Sequence, residues 1–335
     1  MISKLLSSLK YIVGLLVAVS LLWYVFKDWD FEDLLIRFKQ VNYWWVLLSI
    51  FLSLISHAIR AYRWNLILHP LGYNKVTTFR TFLAVMIGYL ANLMAPRIGE
   101  VTRCGILKKT DGVNMSVSLG SVVAERIVDL LGLMVIILLG LILQFDRLSG
   151  FMLDFFQQKS SSMQLSSNII RLLMAFGAII ALTGLVIWWF RVRIKRSPIY
   201  YKLRSFLNEM ADGFTSVLKL KNKSGFWIST VLIWVFYFAM AYVVIFAMPS
   251  TSHLSMLAGL SILIMGGLGM SAPVQGGFGT YHILVGSVLG LYGIVEKDGY
   301  FFATLMHTSQ TFSILLFGSL SFIISLRLKQ KKELN

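Results

Sequence analysis

The sequence predicts an all-α integral membrane protein, because it combines a very apolar composition with long uncharged segments. Of its 335 residues, 57% are hydrophobic and 14% are charged, whereas soluble domains carry about 25% charged residues. Uncharged stretches such as 172–190 and 300–326 are long enough to cross the hydrocarbon core of a bilayer. A soluble protein cannot bury so many segments of this length, so a soluble fold with core helices is excluded.

The first elements fit a chain that starts in the cytoplasm. The first apolar run follows Lys4 and Lys10 and has no small-residue cleavage site, which predicts an uncleaved span rather than a signal peptide. Segment 27–41 is acidic and has apolar residues at helical spacing, so it is predicted to be a short interfacial helix outside. The second span then returns inward to basic residues.

Basic residues concentrate in the loops that this topology places inside, which explains the net charge of +16 without nucleic acid. The basic segment 191–224 and the tail after residue 326 both fall in the cytoplasm. The chain is therefore predicted to lie in the plasma (inner) membrane, with both termini cytoplasmic. Its six full transmembrane helices are predicted within 12–26, 41–64 (uncharged over 41–56), 117–145, 169–190, 225–248 and 300–326.

Two apolar segments do not fit a simple crossing. The segment at about 79–110 has basic residues on both flanks, and the segment at about 250–299 has no basic loop at either end. Pro and Gly interrupt both, and they free backbone groups that need partners inside a membrane. Each segment is predicted to be a re-entrant broken-helix hairpin. The alternative is that Gly and Pro only allow close packing of helices.

The two halves of the chain follow the same order of elements. Residues 1–145 and 169–326 each read as span, amphipathic segment, span, hairpin and span, and three crossings per half make the second half inverted. The breaks share the pattern A-P-x-x-G, and such inverted repeats occur in secondary transporters. The single membrane domain 1–335 is thus predicted to hold two inverted repeats. The predicted hinge and turn residues are Pro96, Gly99, Pro273, Gly276, Gly277 and Gly279.

Three ionisable residues fall in or beside a predicted span. Glu125 and Asp129 are four residues apart and share a helix face, with Arg126 beside them. Charges at membrane depth are costly, so they pair with each other or line a polar cavity. Two interpretations stay open: an ion-pair network that clamps the helix to Arg97 or Arg103, and a direct role in transport.

Other candidate side chains lie near the two breaks and at the inner end of the second span. Arginine forks suit phosphate and carboxylate groups, so these residues are candidates for a lipid headgroup. Loop topology explains Arg97 and Arg103 equally well. Interfacial snorkelling explains Arg60 and Arg63 better than headgroup contact does, and a histidine here is more often a packing residue. The candidates are Arg60, Arg63, Arg97, Glu100, Arg103, Gln275, Tyr281 and His282.

No set of catalytic or metal-ligating residues emerges from the sequence. It holds a single cysteine, Cys104, and none of the spacings typical of hydrolases, metalloproteases or phosphate-binding loops. No catalytic residue, metal or cofactor is therefore predicted.

Four motifs resemble the lysylphosphatidylglycerol synthase transmembrane-region family, which is also described as flippase-like. The resemblance implies an integral membrane protein that moves a lipid between leaflets. The best-known members carry a fused cytoplasmic synthase domain, which this sequence lacks, so aminoacyl transfer is not expected. The motifs lie at 60–64 (RAYRW), 92–103 (NLMAPRIGEVTR), 125–129 (ERIVD) and 273–281 (PVQGGFGTY).

The leading hypothesis is a flippase or transporter for a lipid with an anionic, aminoacylated or glycosylated headgroup. One alternative is a membrane enzyme acting on a lipid-linked substrate, with Glu125 or Asp129 as the base. Another is an accessory subunit that recruits a separate synthase through segment 191–224. Membrane lipids are the expected partners, with a separate synthase or a homo-oligomer as further candidates, and nucleic acid is not expected.

Overall fold

The computed structural model is helical throughout the part of the chain that it describes. It describes residues 19–21, 23, 27, 31–145, 198–272 and 274–328, where α-helices and short 3-10 turns occur without any strand. The predicted all-α class is confirmed. Four helical segments within these ranges are long and apolar enough to cross a membrane, namely Tyr43–Leu71, Met115–Leu143, Lys223–Ala247 and Glu296–Arg327. The predicted span at 169–190, most of the one at 12–26, and Pro273 lie outside the described residues.

The α-helices of the described ranges are numbered here in chain order. In the first half they are α1 (Phe31–Lys39), α2 (Tyr43–Leu68), α3 (Thr78–Met94), α4 (Ile98–Asp111) and α5 (Met115–Leu143). In the second half they are α6 (Pro198–Thr215), α7 (Lys223–Val243), α8 (Met256–Ser271), α9 (Thr280–Gly290) and α10 (Glu296–Arg327).

Side-chain caps determine where several of these helices begin. Asn42, Asn114 and Asn222 each accept a backbone N–H from the first turn of α2, α5 and α7. Thr77 does the same for α3. The first N–H groups of a helix have no partner within the helix, and a cap replaces the water that the bilayer excludes.

Helix α2 is longer than its uncharged sequence suggests. The uncharged stretch ends at residue 56, and the predicted span has residues 57–64 at its inner end. The helix continues through Arg60 and Arg63 to Leu68. Both arginines are buried in the bundle, with exposed fractions of 3% and 0%. The helix can keep them there because they are paired with acidic side chains of α5, so charge alone does not mark its end.

Each of the two unusual apolar segments consists of two short helices joined by a break. Between α3 and α4, Ala95 is extended and Arg97 adopts a left-handed conformation with φ 60°. Between α8 and α9, the positive φ values belong to Gly276, Gly277 and Gly279, where the absence of a Cβ makes such angles easy to adopt. Helix α3 packs against α4, and α8 packs against α9.

Close approach at a glycine and a polar side-chain contact join neighbouring helices. Helices α2 and α7 pack along each other, as do α3 and α10. A Cβ added to Gly318 of α10 would lie 2.9 Å from Cβ of Leu90 in α3. The amphipathic α6 lies against the first turns of α5, where Ser116 donates a hydrogen bond to Glu209.

The outer surface of the bundle is apolar, as expected for helices that face lipid. On α5, Leu130, Val135 and Ile142 are 57%, 63% and 76% exposed. Such an apolar surface would be a liability in water, whereas acyl chains cover it at no cost.

The crossing of α3 and α4 predicts the effect of an added methyl group. A Cβ on Gly99 would lie 2.7 Å from Oδ1 of Asn92, and one on Gly88 would lie 2.9 Å from the carbonyl oxygen of Gly99. We expect Gly99→Ala to lower the free energy of unfolding by about 1–3 kcal/mol, because the helices must separate. Thermal unfolding in detergent, followed by the reaction of buried Cys104 with a maleimide dye, measures the change.

Gly105→Ala is the matched control on the same helix. A Cβ at position 105 meets nothing within 4 Å apart from its chain neighbours and the backbone of its own helix. The variant should be as stable as the wild type or more stable by up to about 1 kcal/mol, since Ala favours the helix over Gly. Equal stability of the two alanine variants would contradict the close crossing.

Candidate functional site

Charged side chains of α2, α4 and α5 meet in one cluster inside the helix bundle. Arg60 and Arg63 are three residues apart on α2, and Glu125 and Asp129 are four apart on α5, so each pair lies on one helix face. Arg103 reaches the cluster from α4. Four of these side chains are at most 4% exposed, and that of Asp129 is 14% exposed. We call these five residues the arginine–carboxylate cluster.

Both arginines of α2 bridge the two carboxylates of α5. Nη1 of Arg60 lies 2.6 Å from Oε1 of Glu125 and 2.7 Å from Oδ2 of Asp129. Nη2 of Arg63 lies 3.2 Å from the same glutamate oxygen and 2.6 Å from Oδ1 of Asp129. Nη2 of Arg103 lies 3.0 Å from Oε2 of Glu125, at an angle that makes an ion pair but no hydrogen bond. Glu125 therefore faces three guanidinium groups.

Uncharged side chains complete the surroundings of the arginines. Arg60 donates to the hydroxyl of Tyr237 at 3.0 Å, and Arg63 donates to the hydroxyl of Thr230 at 3.3 Å, both on α7. The guanidinium of Arg103 lies over the ring of Trp64, 4.6 Å from its centroid, in a cation–π contact. The cluster thus connects four helices: α2, α4, α5 and α7.

Arg126 and Glu100 lie at the edge of the cluster. Nη2 of Arg126 is 3.2 Å from Oε1 of Glu100, and Nη1 is 3.8 Å from Oδ2 of Asp129. The side chain of Arg126 is 41% exposed, so a ligand can reach it. Arg97 is also exposed, and it forms no ion pair with any residue in the described ranges.

The charges of the cluster and its edge do not balance. Among the described residues, four guanidinium groups face three carboxylates, which leaves an excess of one positive charge. The Nε atoms of the four arginines are buried donors that have no hydrogen-bond partner among the described residues. On the three carboxylates, the buried acceptor atoms without a partner among the described residues are Oε2 of Glu100 and Oε2 of Glu125. An anionic group rich in acceptor oxygens fits this surplus of donors.

Several candidate residues lie where the sequence alone did not place them. Arg103 faces Glu125, as the ion-pair interpretation proposed. Arg97, which that interpretation also named, lies outside the cluster, and the two arginines of α2 pair with Glu125 instead. Tyr237 and Thr230 carry no sequence signal, because single polar atoms in an apolar helix are common. The spacing of Arg60 and Arg63 on one face of a membrane helix was a signal for acidic partners.

The candidates of the second break lie apart from the cluster. Nε2 of Gln275 donates to the carbonyl oxygens of Leu93 and Met94, each at 2.8 Å. These carbonyls end α3 and have no partner within the helix, so Gln275 joins the second break to the first.

Tyr281 and His282 are buried and occupied by contacts within the protein. The hydroxyl of Tyr281 lies 3.0 Å from Sδ of Met306, and Nδ1 of His282 accepts the N–H of Gly279 at 3.2 Å. These contacts are typical of packing residues. In the described ranges, no group of three or more His, Cys, Asp or Glu side chains could hold a metal ion.

Removing one carboxylate tests how strongly the cluster holds the bundle. Glu125→Gln keeps the shape of the side chain but leaves Arg103 without its carboxylate, and Arg60 and Arg63 with Asp129 alone. We expect the free energy of unfolding to fall by about 3–5 kcal/mol, because breaking a buried ion pair leaves uncompensated charge. The Cys104 unfolding measurement in detergent gives the value.

Glu296→Gln is the control for this substitution. Glu296 is exposed in the first turn of α10, where a carboxylate contributes at most about 1 kcal/mol. If the Glu125→Gln protein were as stable as this control, the cluster would not clamp α5 to α2.

The comparisons with known proteins agree with the motifs in the sequence. The profile of the family described as "Lysylphosphatidylglycerol synthase TM region" matches residues 11–318, nearly the whole chain. No curated protein and no solved structure matches it. The matched range contains both breaks and every residue of the arginine–carboxylate cluster. The resemblance is confirmed, and the chain belongs to the lysylphosphatidylglycerol synthase TM region family of multi-pass membrane proteins.

Proposed function

We propose that this protein moves a lipid with a polar headgroup between the two leaflets, and that the headgroup binds at the arginine–carboxylate cluster. The observation that carries the proposal is the charge excess of a buried cluster in an apolar helix bundle. Charged side chains at membrane depth are costly and typically mark a transport pathway. Membership of a family related to lipid synthesis or flipping agrees with this role.

The excess charge favours a headgroup with a net negative part, such as a phosphodiester. Arginine forks bind the oxygens of such groups in pairs. Aminoacylated phospholipids and lipids with a phosphate-linked sugar satisfy the same requirement through their phosphate. Arg97 and Arg126 are exposed and would meet the headgroup first, and Glu100 pairs with Arg126 at the edge of the cluster.

A pair of inverted repeats would give this site two-sided access. The described helices repeat in the order span, broken pair and span: α2, α3–α4 and α5, then α7, α8–α9 and α10. Helix α3 has 17 residues, about 25 Å at 1.5 Å per residue, which exceeds half of a hydrocarbon core of about 30 Å. A re-entrant hairpin of this length reaches the midplane from either face. The contact of Gln275 with Leu93 and Met94 supports a meeting of the two breaks there.

In this arrangement the protein lies in an inner membrane, and both termini of the chain are on its cytoplasmic side. The first hairpin enters the membrane from the cytoplasm and the second from outside. Helix α6 then lies at the cytoplasmic surface, packed on the first turns of α5. A separate synthase that supplies the lipid would bind on this face. A second copy of the chain is the other candidate partner.

Reconstitution in vesicles tests the function directly. The probe is phosphatidylglycerol with a nitrobenzoxadiazole label on one acyl chain, which dithionite bleaches only in the outer leaflet. Lipid transfer exposes the inner-leaflet probe, so bleaching proceeds beyond the outer half. Protein that fails to accelerate transfer of this lipid, of an aminoacylated lipid and of a glycolipid would contradict the proposal.

Arg126→Gln predicts a functional defect with little loss of stability. Its guanidinium is partly exposed and contacts Glu100 and Asp129 only at the edge of the cluster. We expect lipid transfer to fall about tenfold, which corresponds to one lost charge-assisted hydrogen bond to the headgroup. Arg126→Lys, which keeps the charge but loses the fork, should retain part of the rate.

Lys108→Gln is the matched loss of charge on α4, at an exposed position away from the cluster. It should leave the rate unchanged. Equal rates for the Arg126→Gln and Lys108→Gln proteins would remove Arg126 from the headgroup path.

The contact between the two breaks predicts that joining them stops transport. Cys104→Ala gives a background without cysteine, and Met94→Cys with Gln275→Cys places one thiol on each break. A short bismaleimide that links them should abolish transfer, because alternating access requires the breaks to separate. Each single-cysteine protein treated with the same reagent should keep its rate, and transfer by the linked protein would rule out this movement.

A further inference from the structure

Helix α2 carries a row of polar side chains that leads away from the arginines into the membrane. Ser49, Ser53, Ser56 and His57 follow one another at intervals of one to four residues, and Arg60 and Arg63 continue the same helix face. All six are buried, with exposed fractions of 0% to 8%. From Ser49 to Arg63 the row covers about 21 Å, most of a hydrocarbon core of about 30 Å. We call the first four residues the α2 polar stripe.

The stripe faces protein and not lipid. Ser49 donates to the carbonyl oxygen of Met240 on α7 at 2.8 Å and accepts from Nε2 of Gln310 on α10 at 3.0 Å. Nε2 of His57 lies 3.3 Å from the hydroxyl of Ser53. The ring of Tyr89 on α3 packs on that of His57. Residues of α3, α7 and α10 therefore surround the stripe.

The part of the stripe nearest the arginines has unused hydrogen-bonding groups. Oγ of Ser56 and Nδ1 of His57 are buried and have no partner among the described residues. A buried polar atom without a partner costs about 1–3 kcal/mol. Packing alone would favour alanine at position 56, because small residues suffice for close helix contact. The interhelical hydrogen bonds of Ser49 explain why a serine stands at position 49. Among the described residues, Ser56 has no such bond to explain its hydroxyl.

We propose that the α2 polar stripe is the route of the headgroup through the membrane interior, with Ser56 and His57 as the binding point next to the arginines. The proposal rests on the lipid transfer proposed above. The ligand is the uncharged, hydrogen-bonding part of the headgroup, such as its hydroxyl groups. One helix turn separates His57 from Arg60, about 5 Å along the axis. A phosphate bound at Arg60 would place an attached hydroxylated unit beside Ser56 and His57.

Ser56→Ala separates this role from a structural one. It removes a hydroxyl that bonds no described residue, so the protein should be as stable as the wild type or more stable. We expect transfer of the labelled phosphatidylglycerol to slow about tenfold, the effect of one lost hydrogen bond to the passing headgroup. His57→Phe keeps an aromatic ring against Tyr89, at a centroid distance of 4.6 Å in the wild type, and should slow transfer to a similar extent.

Ser325→Ala is the matched control. Ser325 of α10 is a buried membrane serine, 4% exposed, whose hydroxyl donates to a carbonyl of its own helix. It should transfer lipid at the wild-type rate. Stability is measured for all variants through Cys104.

Each outcome decides between the possibilities. Slower transfer by the stable Ser56→Ala and His57→Phe proteins supports the route. Wild-type rates in both would overturn it and leave the proposed function standing. A clear loss of stability in Ser56→Ala would make Ser56 structural and also overturn it. An inactive wild type with every lipid tested would remove the proposed function and this route together.

Discussion

The ion pairs between α2 and α5 are the constraint on which the rest of the bundle depends. An isolated charge in an apolar interior costs several kcal/mol, and its partner repays this only with close geometry. Arg60 and Arg63 meet that condition because each lies within 3.2 Å of both Glu125 and Asp129. These contacts set the rotation and the register of the two helices, since sliding either helix by one turn would separate the charges.

A further ion pair of Glu125 connects the α2–α5 contacts to the helix that follows the first break. Arg103 on α4 faces Glu125, and α4 follows directly from the break that ends α3. Gln275 then ties the second break to the end of α3. A ligand that competes for the arginines therefore changes forces on both breaks through one continuous set of contacts, without a separate signalling element. In the proposed function, these contacts would couple headgroup binding to movement of the two broken helix pairs.

Local features of the sequence predicted much of the fold, but the sequence could not predict which residues pair over long distances along the chain. Breaks depend on Pro and Gly within a few residues, and charges in an apolar helix are unusual in any context, so the break at Gly99 and the acids of α5 were recognisable. The partners of Glu125 on α2 are 62 and 65 residues away and depend on how two helices rotate. His282 stood out as a polar residue near a glycine turn, but its ring nitrogen is occupied by the N–H of Gly279.

The balance of positive and negative groups distinguishes a cluster that only stabilises helix packing from one that also binds a ligand. A cluster that only held helices together would be most stable with equal numbers of positive and negative groups, because every unpaired charge or donor costs free energy. The described residues instead leave one guanidinium in excess and several buried Nε atoms without acceptors. The hydroxyl of Ser56 is unpaired in the same way one turn along α2. These unpaired groups make the fold less stable than a fully paired cluster would, and in the proposed function a ligand with acceptor oxygens would pair them.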